Sequence, residues 1–411
     1  MTNKHTATPG RGVPFILAAC TAVSILSTDM ITPSIPDLPE ALGTTVNAAQ
    51  LTVSVNLAAY ALAQLVHGPV ADAIGRRRLL ISAFMIFAVF SAYCATRTSI
   101  DQLLFGRFLQ GLTSSVPSVV IVLIIRELYD PRRALRVMTL YGATLGIAPA
   151  VGPLLGGYLH VGFGWTAGFW FVAGLALIVA GLVWRNVPES LMEQAPLNLR
   201  ASMRAYGGLL RRPQFIGSVL AVSLLFAAYF CYITAAPVVF IDLIGLPTQH
   251  YGLTSLVIVG AFILGNIVAS RLSKSIGAPT LLRWGAYLMT GAMAVLTVPI
   301  LFGVLSIPLI LTAMGIYGGC LAIILAAGPL VVLNHASGAA QGPASALLGS
   351  VQLGLSAVAG YVAAMLFNGT AIPMVLVMST AVVMGTVLLV MLNGSRELGA
   401  TGDLQQDPAE R

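Results

Sequence analysis

A few residues in this 411-residue chain have the type and spacing to do chemistry. Asp29 stands in Ser27-Thr28-Asp29-Met30-Ile31-Thr32-Pro33, and it is the one carboxylate the sequence places inside an apolar block. An acid at the centre of a membrane-spanning helix costs about 2.5–3.5 kcal/mol on insertion scales, so its presence there points to function. It can take and release a proton or pair with a cationic small molecule. One group then serves both partners of an exchange. Pro33 and Pro36 follow closely, which leaves a second reading open: an aspartate at an outer mouth, facing water.

Arg107 begins Arg107-Phe108-Leu109-Gln110-Gly111. Counted from Asp101 at 1.5 Å per residue, it lies about 9 Å into its helix. It is either a functional buried arginine or one that snorkels to the outer interface. Tyr229 and Tyr232 are one helical turn apart. They either line a cavity and stack on aromatic molecules or simply pack. The segment Gly68-Pro69-Val70-Ala71-Asp72-Ala73-Ile74-Gly75-Arg76-Arg77-Arg78 has a different use. Gly75 permits a tight turn, Asp72 can meet an arginine or a positive helix end, and three arginines in a row suit lipid phosphates. Gly152-Pro153-Leu154-Leu155-Gly156-Gly157 allows bending and close helix approach.

The elements that hold these residues follow from composition. Hydrophobic residues make up 57% of the chain and charged residues only 9%, far below the roughly 25% of an average soluble domain. Bilayer lipid, unlike water, solvates such a surface. The apolar residues fall in blocks long enough to span, about 20 residues each. Twelve are expected, near 13–36, 48–71, 79–96, 101–124, 137–160, 165–187, 214–241, 251–272, 280–302, 306–333, 340–367 and 371–393. Strand-type alternation is absent, so the spans read as helices. The expected organisation is a first six-helix bundle over 1–187, a cytoplasmic linker over 188–213, a second bundle over 214–393 and a disordered cytoplasmic tail over 394–411.

Arginine and lysine set the orientation. Arg76, Arg77, Arg78, Arg126, Arg132, Arg133, Arg136, Arg185, Arg200, Arg204, Arg211, Arg212, Arg271, Lys274 and Arg283 fall in alternate loops, and the other loops hold only Arg97. Positive loops face the cytoplasm, which places both termini there, in a bacterial inner membrane. The net charge of +7 is dispersed over those loops and does not suggest nucleic-acid binding. Cys20, Cys94, Cys231 and Cys320 each stand alone, without metal-ligand spacing. His67, His160, His250 and His335 lie near span ends and are given no role in proton transfer. A Gly-x-x-x-x-Gly-Lys-Ser/Thr loop is absent, so ATP is not the expected energy source, and no cofactor, metal or catalytic residue is expected.

The 68–78 segment resembles the signature loop of the major facilitator superfamily. The Arg107 motif and the Gly-Pro-x-x-Gly-Gly run are similar to its fourth-helix motif and its antiporter motif. Ser27–Pro33, Leu225–Tyr229 with Ala236-Pro237, and Gly342–Gln352 look like the bicyclomycin/chloramphenicol-resistance subfamily of twelve-span drug:proton antiporters. Ala235 and Ala236 depart from it, because members often carry a hydroxyl there. The resemblance implies an all-α membrane fold of two six-helix bundles that works as a monomer. It implies proton-coupled efflux of a lipophilic drug by alternating access. Asp29 would carry the proton, Arg107 would tune it, and Asp72 with Arg76 would form a latch that breaks on inward opening. An exporter of one endogenous metabolite and a nutrient uptake symporter are the alternatives.

Overall fold

The computed structural model describes residues 10–336 and 341–403. Twelve of its helices are long and apolar enough to cross a bilayer. In order, the first to sixth spans are Val13–Leu42, Val46–Ile74, Arg76–Ala95, Ile100–Leu128, Pro131–Phe163 and Ala167–Asn186. The seventh to twelfth are Pro213–Leu243, Thr248–Leu272, Ala278–Leu301, Ile307–Leu333, Gln341–Leu366 and Ile372–Leu392. A shorter helix, Leu199–Leu210, lies in the linker. No strand occurs among the described residues. Lipid offers the backbone no hydrogen bonds, so each span satisfies its own.

Number and order match the sequence expectation, while some edges move. The fifth span begins at Pro131, not near 137. The Asp130 side chain accepts from the backbone N–H groups of Arg132 and Arg133 at 3.1 Å, and proline occupies the first helical position. Arg132, Arg133 and Arg136, expected in a loop, are therefore helical. The last helix runs Ile372–Asp403, past the 394 boundary given to the tail, and residues 404–411 lie outside the described residues.

Packing repeats between the halves. The first span packs on the fifth and sixth, the second on the fourth, the third on the fourth and sixth. Six spans later the pattern recurs: seventh on eleventh and twelfth, eighth on tenth, ninth on tenth and twelfth. The two six-helix bundles then meet along two seams, second against eleventh and fifth against eighth. Large apolar side chains point outward along the spans, among them Val89, Ile178, Leu264 and Leu288. Lipid covers such a surface.

Two equivalent spans are irregular. The first is a regular helix over Val13–Asp29, then a tight 3-10 segment over Thr32–Asp37. Pro33 and Pro36 lack the N–H that would continue the ladder. The Thr32 hydroxyl donates instead to the Asp29 carbonyl at 2.7 Å. Its counterpart, the seventh span, is regular over Pro213–Pro237 and then widens into a π-helical turn over Val238–Leu243. Interrupted helices at matching places in two halves are the expected mark of a transporter's central site.

Candidate functional site at the break of the first span

Asp29 ends the regular part of the first span and is only 5% exposed. That excludes an aspartate simply facing water at a mouth. The wall beside it is the fifth span. A Cβ at Gly152 would lie 2.7 Å from Asp29 Cβ, and one at Gly156 would collide with the Met30 carbonyl oxygen. These glycines are needed because the Asp29 Cβ and the Met30 main chain occupy the space a side chain would fill. Pro153 is buried between them.

Arg107 is fully buried, so it does not snorkel. Its Nε donates to the Thr52 carbonyl at 3.1 Å and its Nη1 to the Ser27 carbonyl at 2.8 Å. Nη1 also donates to Gln110 Oε1, and Gln110 passes the chain to Ser91 Oγ at 2.7 Å. The guanidinium sits 5.8 Å from the Phe169 ring centroid. One side chain thereby ties the first, second, third, fourth and sixth spans. Nη2 has no hydrogen-bond partner among the described residues. Asn56 donates to the Arg107 carbonyl at 2.9 Å and accepts from Thr28 at 3.1 Å, linking the arginine's backbone to Asp29's neighbour. No ion pair joins Arg107 to Asp29 among the described residues. The two interact through space.

From the second half, Tyr229 and Tyr232 approach the same region. Tyr232 is 2% exposed; Tyr229 is partly buried, edge-on to Phe230 at 5.5 Å. Tyr229 lies within electrostatic reach of Asp29, and so does Tyr251 of the eighth span. Tyr251 was not expected from the sequence. It is 1% exposed and 6.1 Å from Phe240. Its only sequence signal was a tyrosine near the start of an apolar block.

The signature loop forms a separate cluster at the arginine-rich face. Gly75 has φ +98°, a backbone that favours glycine. Its turn opens the third span, and the Glu189 carboxylate sits on the free N–H groups there, 2.8 Å from Arg76 N and 3.2 Å from Arg77 N. The Arg76 guanidinium pairs with Asp72 at 2.6 Å and Glu127 at 3.1 Å. Ser190 Oγ donates to Glu127 at 2.5 Å. Asp72 and Arg76 are brought together, but their ion-pair and hydrogen-bond partners among the described residues belong to the first half or the linker, so the pair does not itself bridge the two bundles. Glu127 and Glu189 were not singled out in the sequence. At Gly68 an added Cβ meets nothing within 4 Å.

At the opposite face the halves are tightly closed. A Cβ at Gly157 would lie 2.9 Å from the Thr248 carbonyl oxygen, and one at Gly252 would strike Leu154. On the other seam Asn47 donates to the Phe367 carbonyl at 3.3 Å. His160, which the sequence placed near a span end, has Nε2 2.5 Å from Asp37 Oδ2 and pins the fifth span to the first. No group of histidine, cysteine and acidic residues suited to a metal occurs among the described residues.

A Major Facilitator Superfamily model matches residues 17–361. The chain belongs to the major facilitator superfamily. Among the relatives of this major facilitator protein is the bicyclomycin resistance protein homolog of Haemophilus influenzae, 26% identical over 91% of this chain and 94% of that one. The multidrug transporter MdfA of Edwardsiella piscicida is 28% identical over 70% of this chain and 71% of its own. A solved structure of the peptide transporter POT in complex with sulfate superposes with a TM-score of 0.78. Its identity is 14%, covering 93% of this chain and 94% of that one, so it speaks for the fold alone. The protein is a multi-pass membrane transporter of small molecules, not an enzyme.

Proposed function

We propose that this transporter expels lipophilic drugs or antibiotics, of the phenicol or bicyclomycin type, from the bacterial cytoplasm in exchange for protons. The observation that carries the reading is Asp29. It is a carboxylate sealed at the break of the first span, between the glycine wall of the fifth span and the tyrosines of the second half. The names of its relatives, a bicyclomycin resistance homolog and a multidrug transporter, support the substrate class.

In this scheme Asp29 takes a proton from the outer side and releases it inside, and a drug from the cytoplasm or inner leaflet then fills the cavity. Arg107 holds Asp29's surroundings through Ser27 and Thr52 and favours proton release. The Asp72–Arg76 pair with Glu127 stiffens the arginine-rich face, which is cytoplasmic in this scheme, as both termini are. The tight contacts at Gly157, Gly252 and Asn47 are then the closed outer gate. The protein works as a monomer. Two protons moving inward, each worth about 2.3 kcal/mol per 100 mV, support a drug gradient of several powers of ten.

The test is growth protection in a pump-deficient bacterial host. Wild type and Asp29→Asn are compared at matched expression against phenicols, bicyclomycin, fluoroquinolones and lipophilic cations. Wild type is expected to protect and the variant to fail. Protection that survives the substitution with proton coupling unchanged would sink the role of Asp29. No protection against any compound would favour a metabolite exporter or uptake symporter.

A further inference from the structure

The linker is built onto the spans rather than hung beneath them. Its helix Leu199–Leu210 starts at Asn198, whose side chain accepts from Ala201 N–H at 2.9 Å. Tyr206 and Leu209 are its buried residues. The helix packs against the second, seventh and eleventh spans, and so touches both halves along one seam. The Tyr206 hydroxyl donates to the Leu65 carbonyl at 2.9 Å. Leu65 is about 13 Å up the second span from its end at Ile74, at 1.5 Å per residue. Even with a tyrosine's full reach, the linker helix lies level with the last turns of that span. The second span has 29 residues, about 43 Å, so when it is centred on a hydrocarbon core of about 30 Å its last turns come to headgroup depth. Leu62 and Val66, beside Leu65, are exposed apolar residues of the second span.

The exposed part of this helix surface is divided. Leu199, Met203 and Leu210 are 40%, 63% and 45% exposed. Their spacing of four and seven puts them in one stripe. Arg200, Arg204 and Arg211 each follow by one residue and form the next stripe, also exposed. None of the three makes an ion pair among the described residues. The sequence holds no acidic residue between Glu193 and Asp242. An exposed apolar stripe beside an uncompensated basic one, at headgroup depth, has the chemistry of an interfacial helix on anionic lipid. Guanidinium groups bind phosphate oxygens in a fork and keep their charge at any pH of the cell.

We propose that Leu199–Leu210 is a docking surface for anionic phospholipid. Leu199, Met203 and Leu210 enter the headgroup–acyl boundary, and Arg200, Arg204 and Arg211 hold the lipid phosphates. Because the helix contacts spans of both bundles, bound lipid acts on the seam that must slide during transport.

The experiment uses the full chain in nanodiscs, which expose both faces. A fluorophore is placed through Met203→Cys or, on the far side of the helix, Gly208→Cys, where a Cβ meets nothing within 4 Å. The native cysteines are buried and spared by the reagent. Quenching by headgroup-nitroxide lipid and by aqueous iodide is compared in phosphatidylcholine alone and with phosphatidylglycerol added. The expected result is severalfold stronger lipid quenching and weaker iodide quenching at 203 than at 208. The contrast should grow with phosphatidylglycerol and lose that growth in Arg200→Gln/Arg204→Gln/Arg211→Gln, a variant of exposed residues whose folding is checked by gel filtration. Equal iodide access at both positions would overturn the proposal and leave the face to a soluble partner. Lipid quenching at 203 that ignores phosphatidylglycerol would overturn the anionic-lipid assignment. The readout needs no substrate, so its failure is separate from a failure of the efflux reading.

Discussion

At the scale of single residues, Arg107 is the side chain on which most depends. It donates to two carbonyls and an amide from a fully buried position, with one nitrogen left over. Lysine keeps the charge but has no fork to reach Thr52 and Ser27 together. Hydrogen bonds to a charged group are worth about 1.5–3 kcal/mol each. Arg107→Lys is therefore expected to lower the thermal unfolding midpoint in detergent clearly, as well as transport. An unchanged midpoint would mean the network is not structural. The signature-loop glycines make a second contrast. Gly75→Ala forces a side chain onto φ +98° and against Glu189, at about 1–3 kcal/mol for the backbone. Gly68→Ala meets open space. Membrane yield and unfolding midpoint should fall for Gly75→Ala and hold for Gly68→Ala.

Between elements, the contact of the first and fifth spans decides whether Asp29 is enclosed. Gly156 lies where any Cβ would meet the Met30 carbonyl, one residue from Asp29. Backbone cannot yield as a flexible side chain can, so Gly156→Ala should push the fifth span away and open the wall of the site. The protein should still insert, because the hydropathy of the span is unchanged. Normal membrane levels with transport reduced at least about tenfold, roughly a 1.4 kcal/mol effect on the working state, are expected in a vesicle efflux assay. Full transport would show that the seam has slack. The broken ends of the first and seventh spans belong to this scale too. The first break comes with prolines and a 3-10 segment, the second with a widened π-helical turn, so each bundle carries one irregular helical segment in its first span.

For the whole molecule, the matched packing of the two halves means that a change of state moves one bundle against the other at two seams. If the face carrying Gly157 is the closed gate, locking it should stop the cycle. A Cβ at Gly157 would lie 3.4 Å from the Gln249 Cα, within the reach of a disulfide. A Cβ at Gly157 also crowds the Thr248 carbonyl at 2.9 Å, so the reduced Gly157→Cys/Gln249→Cys variant is the reference. It is expected to cross-link under mild oxidant, to lose the transport it retains when reduced, and to regain that level on reduction. Cross-linking without loss of transport would place the moving gate elsewhere.

The sequence alone determined what depends on neighbours along the chain. Twelve apolar runs, the alternation of basic loops, the tight turn at Gly75 and an acid next to helix-breaking prolines are local facts. Hydropathy and backbone sterics act on stretches of about 20 residues or fewer. Even the early start of the fifth span was local, written in Asp130-Pro131. The tertiary structure decided what closes around those residues. Gly152 against Asp29, Thr52 under Arg107, Glu189 on the turn of Gly75 and Tyr251 within electrostatic reach of the acid join residues tens to hundreds of positions apart. Such pairs are set by how helices pack across the bundle, because a buried arginine or a free helix end must find its partner wherever packing brings one. A single sequence carries no record of that meeting.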